Sequence, residues 1–433
     1  MLKNLIKKII GEKILLSYHY MNALAAAIWY GFPSEKMTIV GITGTKGKTS
    51  SSEFVWSVLH AGGYTTGLIG TAHVLIGTIE LPNMIHMTMP SPWVTQKLLK
   101  KMKSAGCTHV VLEVSSEGLK QYRHIGINYD IGIFTNISPE HLPSHNNSFE
   151  EYKKAKRRLF EYMSTSQRKP FFNKKISLIN GDSDEASYYK AVPLDETILY
   201  SLNTYIKEYK IDKEKNTLTF ENTSCHIAIP GIFNMYNALV AYHVGRASGI
   251  STLDIVKGIE SVKCIPGRME EIFDEKLSFR VFIDYAHEKL SMKNLLETLN
   301  NMKVDSHNRV IVLFGAEGGG RDPQKRKDMA LLADTYADTI ILSNVDPYKD
   351  DPETIIQDIA KHITHKKQNE NLFLITDRKE GIHKAFTLAK ENDIVCICGK
   401  GAEKTMVING CTIPWDERQI VRDVLREVLY NNN

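Results

Sequence analysis

A chain of 433 residues is too long for one ordinary hydrophobic core, so two or three domains are expected. Its 42% hydrophobic and 24% charged residues suit a soluble globular protein, and a net charge of +4 argues against a general nucleic-acid binder. Cys107, Cys225, Cys264, Cys396, Cys398 and Cys411 form no paired CxxC pattern, which argues against a zinc scaffold and fits a reduced, cytoplasmic protein.

In chain order, the first element is ILLSYHYMNALAAAIWYG (14–31), which follows the basic start KNLIKKIIGEK and carries no charged residue. Its length would permit a membrane span. Ser17, His19, Asn22 and three tyrosines (Tyr18, Tyr20, Tyr30) make it a poor hydrocarbon segment. No small-x-small cleavage site leads into a secreted-type chain. A packed helix is expected, with contact to a membrane surface as the lesser reading. Short β-like runs then alternate with helical stretches. They are TIVGIT (38–43), THVVLEVSS (108–116), YDIGIFTNIS (129–138), FRVFIDYA (279–286), RVIVLFGA (309–316), DTIILSN (338–344) and DIVCICG (393–399). Most are continuous apolar runs, the pattern of strands buried on both faces of a parallel sheet. The fold class is therefore α/β. TSSSEFVWSVLHAGG (49–63) reads as a helix closed by Gly62-Gly63. The polar region 163–226 reads as a β-hairpin excursion, and PGRMEEI (266–272) as a domain junction.

VGITGTKGKTSS (40–51) sets a loop rich in Gly, Thr and Lys between a strand and a helix. Exposed backbone N–H groups and the helix N-terminus make such a loop an anion site. Gly44, Thr45 and Gly47 form its body, Lys48 would reach the outer phosphates, and Thr49 would offer its hydroxyl to magnesium. The spacing departs from the common P-loop: five residues separate Gly41 from Gly47, and Gly44 sits inside. A plain glycine-rich turn is the bland alternative, and the strong strand before it argues against that.

The variant GTxGKT resembles the loop of the Mur ligase family, ATP-dependent amide-forming enzymes of peptidoglycan assembly that also include folylpolyglutamate synthase. LEVSSEGLKQYRHIGINYDIGIFTNISPEHLPSH (112–145) looks like the central block of the MurE-type members, which add the third amino acid of the stem peptide. EYKKAKRRLF (151–160), PGIFNMYNALVA (230–241), GRMEEI (267–272), DYAH (284–287), a GGGRDxxKR-like stretch (318–326) and GKGAE (399–403) follow in family order. The resemblance implies a short helical N-terminal segment (1–36) and a central P-loop-type, mostly parallel sheet domain that binds ATP (37–265). A C-terminal Rossmann-like domain (266–433) would bind the amino acid. It also implies a cytoplasmic ligase that uses ATP and Mg2+ to join a free amino acid to a muramoyl-peptide carboxylate through an acyl phosphate.

That chemistry brings a carboxylate, a triphosphate and a transferring phosphoryl group together, so positive charge and metal are the main requirement. By resemblance, Thr49 and Glu113 ligate the first magnesium and His141 the second. Lys156 looks like the family lysine that carbon dioxide carbamylates into a metal-binding anion, although by composition KKAKRR is a solvated basic helix face. Asn237 resembles the adenine-contacting residue, with Asn234 nearby, the bland reading being a helix N-cap for one of them. Arg268 resembles the residue that reaches the γ-phosphate from the last domain, and Asp284 the ribose-binding acid, so that domain closure clamps ATP. Thr88, Pro90, Ser115, Gln121 and Arg123 resemble contacts to the acceptor. Arg321, Gly399 and Glu403 match amino-acid-binding positions, with Arg321 gripping a carboxylate bidentately and Glu403 an ammonium.

Four departures from the family pattern stand out. VDPY (345–348) replaces the DNPR of enzymes that use meso-diaminopimelate, and Tyr348 takes the place of the Arg that grips the distal carboxylate. Asp346 and Glu403 then lean the pocket acidic, which favours a lysine-like amino acid. Residues 1–36 are short where MurE-type enzymes carry a UDP-binding domain, which opens the acceptor to a muramoyl-peptide nucleotide, a lipid-linked precursor or another carboxylate. Glu117 stands where many relatives have His, and DYAHEK lacks the usual Thr-Pro. The other readings are a related ligase acting on a poly-glutamyl or folate-like acceptor, a nucleotide-binding pseudo-ligase scaffold, and a P-loop kinase or GTPase. A complete set of phosphate, metal and nucleotide residues speaks against the scaffold, and no NKxD motif supports a GTPase.

Overall fold

Every position of TIVGIT is buried, and the run forms strand β1 (Thr38–Thr43) inside an eight-stranded sheet. The computed structural model describes residues 12–81, 87–140, 142–205, 210–211, 216–320 and 323–430. It divides into two units. One takes most of the chain up to Val262, and the other takes Lys263–Asn433 with the short pieces 211–216 and 228–231.

In the first unit the remaining strands are β2 (Thr66–Ile69), β3 (Val74–Ile76), β4 (Ile79–Leu81), β5 (His109–Glu113), β6 (Ile131–Phe134), β7 (Ile176–Asn180) and β8 (Glu196–Tyr200). Their order is β4-β3-β2-β5-β1-β6-β7-β8. β3 and β4 form an antiparallel edge, and the other neighbours pair in parallel. Aliphatic side chains such as Ile39, Val110, Leu112 and Ile179 are buried on this sheet, which is what the continuous apolar runs require. The register sets Ile42 beside Glu113 and Thr43 beside Phe134, so three strand ends open side by side. Ligands bind at the carboxyl ends of such strands.

Four helices place the first unit's chemistry. These are α1 (Glu12–Tyr30), α2 (Lys48–Ala61), α3 (Pro92–Ser104) and α4 (Ser116–Lys120), and a fifth, α5 (Phe149–Thr165), crosses the same sheet. The run THVVLEVSS ends as a strand at Glu113, because Ser115 caps α4 by accepting the Gly118 N–H at 3.1 Å. α1 is packed on one side only: Ala23, Ala26 and Ala27 are fully buried, and Asn22 Oδ1 accepts the Trp93 indole N–H of α3 at 3.0 Å. Among the described residues, no helix is long and apolar enough to cross a membrane.

At the other end of β1, Asp130 is fully buried with two lysines. Lys169 Nζ lies 2.5 Å and Lys175 Nζ 3.1 Å from its carboxylate, and the Ile39 N–H donates to it at 2.8 Å. Removing one partner of such a buried group costs about 3–5 kcal/mol, so this cluster pins the entry to β1. The region 163–226 is not a hairpin excursion throughout. It contains β7 and β8 of the main sheet, and only β9 (Lys210–Ile211), β10 (Asn216–Phe220) and β11 (Thr223–Ile227) form a separate small sheet. The polar loops between these strands hid ISLIN, whose five residues are all buried.

The second unit is built on β12 (Glu270–Ile272), β13 (Arg280–Asp284), β14 (Val310–Phe314), β15 (Thr339–Leu342), β16 (Leu372–Leu374) and β17 (Ile394–Cys398). The order is β12-β13-β17-β14-β15-β16, with only β12 antiparallel. A hairpin of β18 (Thr405–Ile408) and β19 (Cys411–Pro414) follows. Cys396 and Cys398 are buried in β17, as the apolar run required. Two mostly parallel sheets confirm the α/β class.

Candidate active site

The loop after β1 folds as the glycines demand. Gly44 has φ +153°, and a Cβ there would stand 1.9 Å from Thr135 Oγ1. Gly47 has φ +82° and begins α2, whose first N–H groups have no partner inside the helix. Thr135 and Asn136, just past β6, clasp the loop from the side. The Asn136 carbonyl accepts the Thr45 N–H at 2.9 Å, Asn136 Oδ1 accepts the Lys46 N–H at 2.9 Å, and Thr135 Oγ1 donates to the Lys46 carbonyl at 2.6 Å. Thr45 Oγ1 lies 3.1 Å from the Tyr152 hydroxyl of α5.

Two lysine amines converge on this loop. Lys48 Nζ donates to the carbonyls of Gly44 and Thr45 at 2.9 and 3.0 Å, and Lys156 Nζ donates to the same Gly44 carbonyl at 2.7 Å. Lys156 is 2% exposed and lies 4.4 Å from the centroid of the Tyr152 ring. The solvated-face reading of KKAKRR therefore fails at this position, because α5 turns Lys156 toward the sheet. Burial, and then the neighbouring Lys48 charge, hold its amine well below the usual lysine range, with Glu140 pulling the other way.

Glu113 at the end of β5 faces Thr49. The Thr49 hydroxyl donates to Glu113 Oε2 at 3.1 Å, and Thr71 donates its N–H to Oε1 at 2.7 Å. Thr71 Oγ1 lies 3.0 Å from Glu113 Oε2 and 3.1 Å from Thr88 Oγ1. Glu113 is 2% exposed, and among the described residues no Lys, Arg or His forms an ion pair with it. A buried carboxylate surrounded by uncharged donors fits a cation. No group of three or more His, Cys, Asp or Glu among the described residues makes a metal cage. Magnesium needs none, since it takes one or two protein ligands and completes its shell with water and phosphate. Behind this site, burial raises the Glu53 carboxyl from 4.5 to about 7, with His73 opposing and the Glu113 and Glu80 charges adding.

The other expected residues of the first unit fall into two groups. Asn237 and Asn234 lie in the helix Ile232–Ala247, where neither is its cap. Asn237 Oδ1 accepts the Ser51 hydroxyl at 2.8 Å, its Nδ2 donates to Asn234 at 3.0 Å, and a Cβ on Gly47 would lie 3.1 Å from it. That sets Asn237 against the loop after β1. Ser115, Gln121 and Arg123 gather around α4. Arg123 donates to Gln121 Oε1 at 2.7 Å and to the Met89 carbonyl, beside Thr88 and Pro90, at 2.6 Å. Glu117 accepts from Gln121 at 2.8 Å, and nothing in the structure explains why it replaces His. His141 lies outside the described residues.

In the second unit, Asp284 accepts the N–H groups of Met269 and Ala286, both at 2.7 Å. The Arg268 guanidinium lies 4.4 Å from the Tyr285 ring centroid. The Gly399 N–H donates to the Asp284 carbonyl at 3.1 Å, so the ends of β13 and β17 share this edge. Arg321 lies outside the described residues. Lys400, which stands inside GKGAE, tempers the acidic lean of Asp346 and Glu403 without reversing it. Lys400 is 1% exposed, with its Nζ 2.8 Å from Asp346 and 2.5 Å from Glu403. Burial opposes its charge, but Glu403 and Asp346 outweigh it and hold the ammonium above the ordinary lysine value. Asp346 also accepts the Val407 N–H at 2.7 Å, and Glu403 the Tyr285 hydroxyl at 2.8 Å. One cation thus offsets two acids. Tyr348 has φ +56° and packs its ring over Gly319. Thr71, Tyr152 and Lys400 are the residues that motif reading missed; Tyr152 stands inside EYKKAKRRLF and Lys400 inside GKGAE, whereas Thr71 lies in no matched stretch.

Comparison with known proteins follows the same division. Residues 42–245 match the family model of the Mur ligase middle domain, and residues 267–401 match that of the Mur ligase, glutamate ligase domain. The chain is 33% identical over 426 residues to a UDP-N-acetylmuramoyl-L-alanyl-D-glutamate–2,6-diaminopimelate ligase of Geobacillus kaustophilus, covering 94% of this chain and 82% of that protein. It is 32% identical over 423 residues to a UDP-N-acetylmuramyl-tripeptide synthetase of Treponema denticola, covering 92% and 78%. A solved UDP-N-acetylmuramoyl-L-alanyl-D-glutamate–2,6-diaminopimelate ligase superposes with TM-score 0.59 at 28% identity, over 90% of this chain and 79% of that one. Mycobacterium tuberculosis folylpolyglutamate synthase, solved with ADP and AMPPCP, shares the fold with TM-score 0.72 at 16% identity over 95% of each chain.

Proposed function

The chain belongs to the Mur ligase family and is an ATP-dependent amide ligase of peptidoglycan-precursor synthesis, and from that premise we propose which substrates and residues carry its reaction. The acceptor is the free carboxylate of a UDP-muramoyl-dipeptide. One relative is named for that acceptor and another for the UDP-linked tripeptide, and the chain aligns with both over most of its length. The observation that carries the residue assignment is the loop itself, with Lys48 and a buried Lys156 on one carbonyl and the Thr49–Glu113 pair beside it.

Gly44, Thr45 and Gly47 shape the loop whose N–H groups, with the α2 N-terminus, hold the β- and γ-phosphates of ATP. Lys48 stabilises charge on the γ-phosphoryl group as it moves to the acceptor carboxylate, giving an acyl phosphate and ADP. The amino acid's neutral amine then attacks the acyl carbon, phosphate leaves with the bonding pair, and the nitrogen gives up one proton. Asn237 contacts the adenine, Asp284 the ribose and Arg268 the γ-phosphate. Thr88, Ser115, Gln121 and Arg123 orient the acceptor.

Thr49 and Glu113 would hold one magnesium ion, and His141 with a carbamylated Lys156 a second. Bound magnesium screens the mutual repulsion of triphosphate and carboxylate. Carbamylation draws on the neutral form of the Lys156 amine, whose lone pair attacks carbon dioxide and releases one proton, and burial shifts the amine toward that form. The reaction runs in the reducing cytoplasm, which suits six free cysteines.

The amino acid is one without a distal carboxylate. Tyr348 offers no charge to grip one, and Lys400, Asp346 and Glu403 together leave one net negative charge. Glu403 takes the α-ammonium, with Arg321 and Gly399 at the α-carboxylate. Lysine remains the first amino acid to test, and neutral side chains come next because Lys400 already satisfies Asp346.

Phosphate release from ATP and magnesium with UDP-muramoyl-dipeptide tests the whole reading. Lysine, ornithine, diaminopimelate and glutamate are supplied singly, and product mass is read. A product enlarged by one lysine or ornithine is expected. ATP binding without product from any amino acid would remove the UDP-linked acceptor.

A further inference from the structure

One surface of the first unit takes no part in that chemistry. The outer face of α1 carries Ile14, Tyr18, Met21, Ala25 and Ile28 at helical spacing, all exposed. Ile14, Tyr18, Met21 and Ile28 are each 60% exposed or more, and Trp29 at its end is 76% exposed. A water-facing helix normally puts charge on that face; this one has no charged residue from Ile14 through Ser34. Trp93 of α3 extends the patch, with its ring centroid 6.4 Å from that of Trp29 and 6.3 Å from that of Tyr30.

The charges around the patch are mainly positive, although α1 opens with Glu12 and exposed Glu35 follows its end. On α3, Lys97, Lys100 and Lys101 are exposed on the same side as Trp93, and the helix contains no acidic residue. The eleven residues before α1 include Lys3, Lys7 and Lys8 and no acid. Aliphatic residues with Trp and Tyr at the margin, bordered by lysines, are the composition of a helix lying in a lipid headgroup layer. A symmetric contact with a second copy would bring two lysine rows onto one interface, which charge disfavours. We propose that the α1 face, with Trp93 and the α3 lysines, docks this protein on a bilayer surface containing anionic lipid, with α1 parallel to the membrane plane. Binding is peripheral, since no described helix spans.

The test uses the full chain and vesicles of phosphatidylcholine with or without phosphatidylglycerol. Co-sedimentation with the anionic vesicles is expected, with much weaker binding to phosphatidylcholine alone and a blue shift of tryptophan emission that Trp29→Phe with Trp93→Phe removes. Met21→Gln with Ile28→Gln and Trp29→Gln lowers partitioning at least tenfold. Neutralising Lys97, Lys100 and Lys101 to Gln lowers it roughly fivefold per lysine. Thermal unfolding of both variants at the parent temperature shows that the surface alone was altered. Failure of the wild type to bind anionic vesicles overturns the proposal, as does binding unchanged in both variants. Concentration-dependent self-association that the α1 variant abolishes, without vesicle binding, assigns the face to a second copy instead. None of these readouts depends on ligase activity, so the proposed substrates stand or fall separately.

Discussion

Around the loop after β1, the Lys156 amine rests on a backbone carbonyl, and Glu113 rests on two threonine hydroxyls and an amide. In the second unit, Lys400 rests on two carboxylates. Both regions bury charge, but they satisfy it differently. Neutral dipoles leave a charged group's field largely intact for a ligand, at the cost of desolvation; for Lys156 that cost appears as lost basicity. Opposite charges cancel each other and leave only the remainder, here one acid's worth, for the ligand. The first arrangement suits a site that must meet triphosphate and metal. The second suits a site that selects a small zwitterion by shape and one residual charge.

Replacing a lysine by methionine in each region should separate the two arrangements. In the first unit, Lys156→Met is expected to lower kcat by about 10^3-fold or more while the urea midpoint holds or rises, because a poorly solvated amine is exchanged for an apolar group. A lowered midpoint with residual turnover would mean that Lys156 is a structural cation after all. In the second unit, Lys400→Met should destabilise by about 3–5 kcal/mol, since two buried or half-buried acids lose their cation. Adding Asp346→Asn should recover part of that loss, and no recovery would show that Glu403 carries the pairing alone.

Glu53 gives a pH test of the first region. Its folded value is raised, so its contribution to stability is complete below 4.5 and is lost as pH rises through about 7. The wild type should lose at most about 3 kcal/mol over that window relative to Glu53→Gln. Parallel stability curves for the two proteins would place Glu53 in contact with water. The smallest effect concerns selectivity. Tyr348→Arg should raise diaminopimelate use roughly tenfold, the worth of one charge-assisted contact, measured as kcat/KM against lysine. An unchanged ratio would remove residue 348 from the pocket.

Residues 38–43, 309–316 and 393–399 could be read directly, because a continuous aliphatic run buried on both faces has few other places to go. The loop from Gly44 to Thr49 was equally legible, since the positive φ angles of Gly44 and Gly47 favour glycine. β7 was not, because polar loops surround its buried run, and β8 was not, because only Tyr200 of it is buried. The site divides in the same way. Sequence alone determined which residue types stand beside the loop, and in what order. Only the tertiary structure decided that Lys156 leaves its basic run to reach Gly44, 112 positions away, and that Lys400 meets Asp346 across 54. It also decided that the described residues leave the outer face of α1 uncovered. Periodicity and motif are local properties, whereas burial and counter-charge are set by partners distant in the chain.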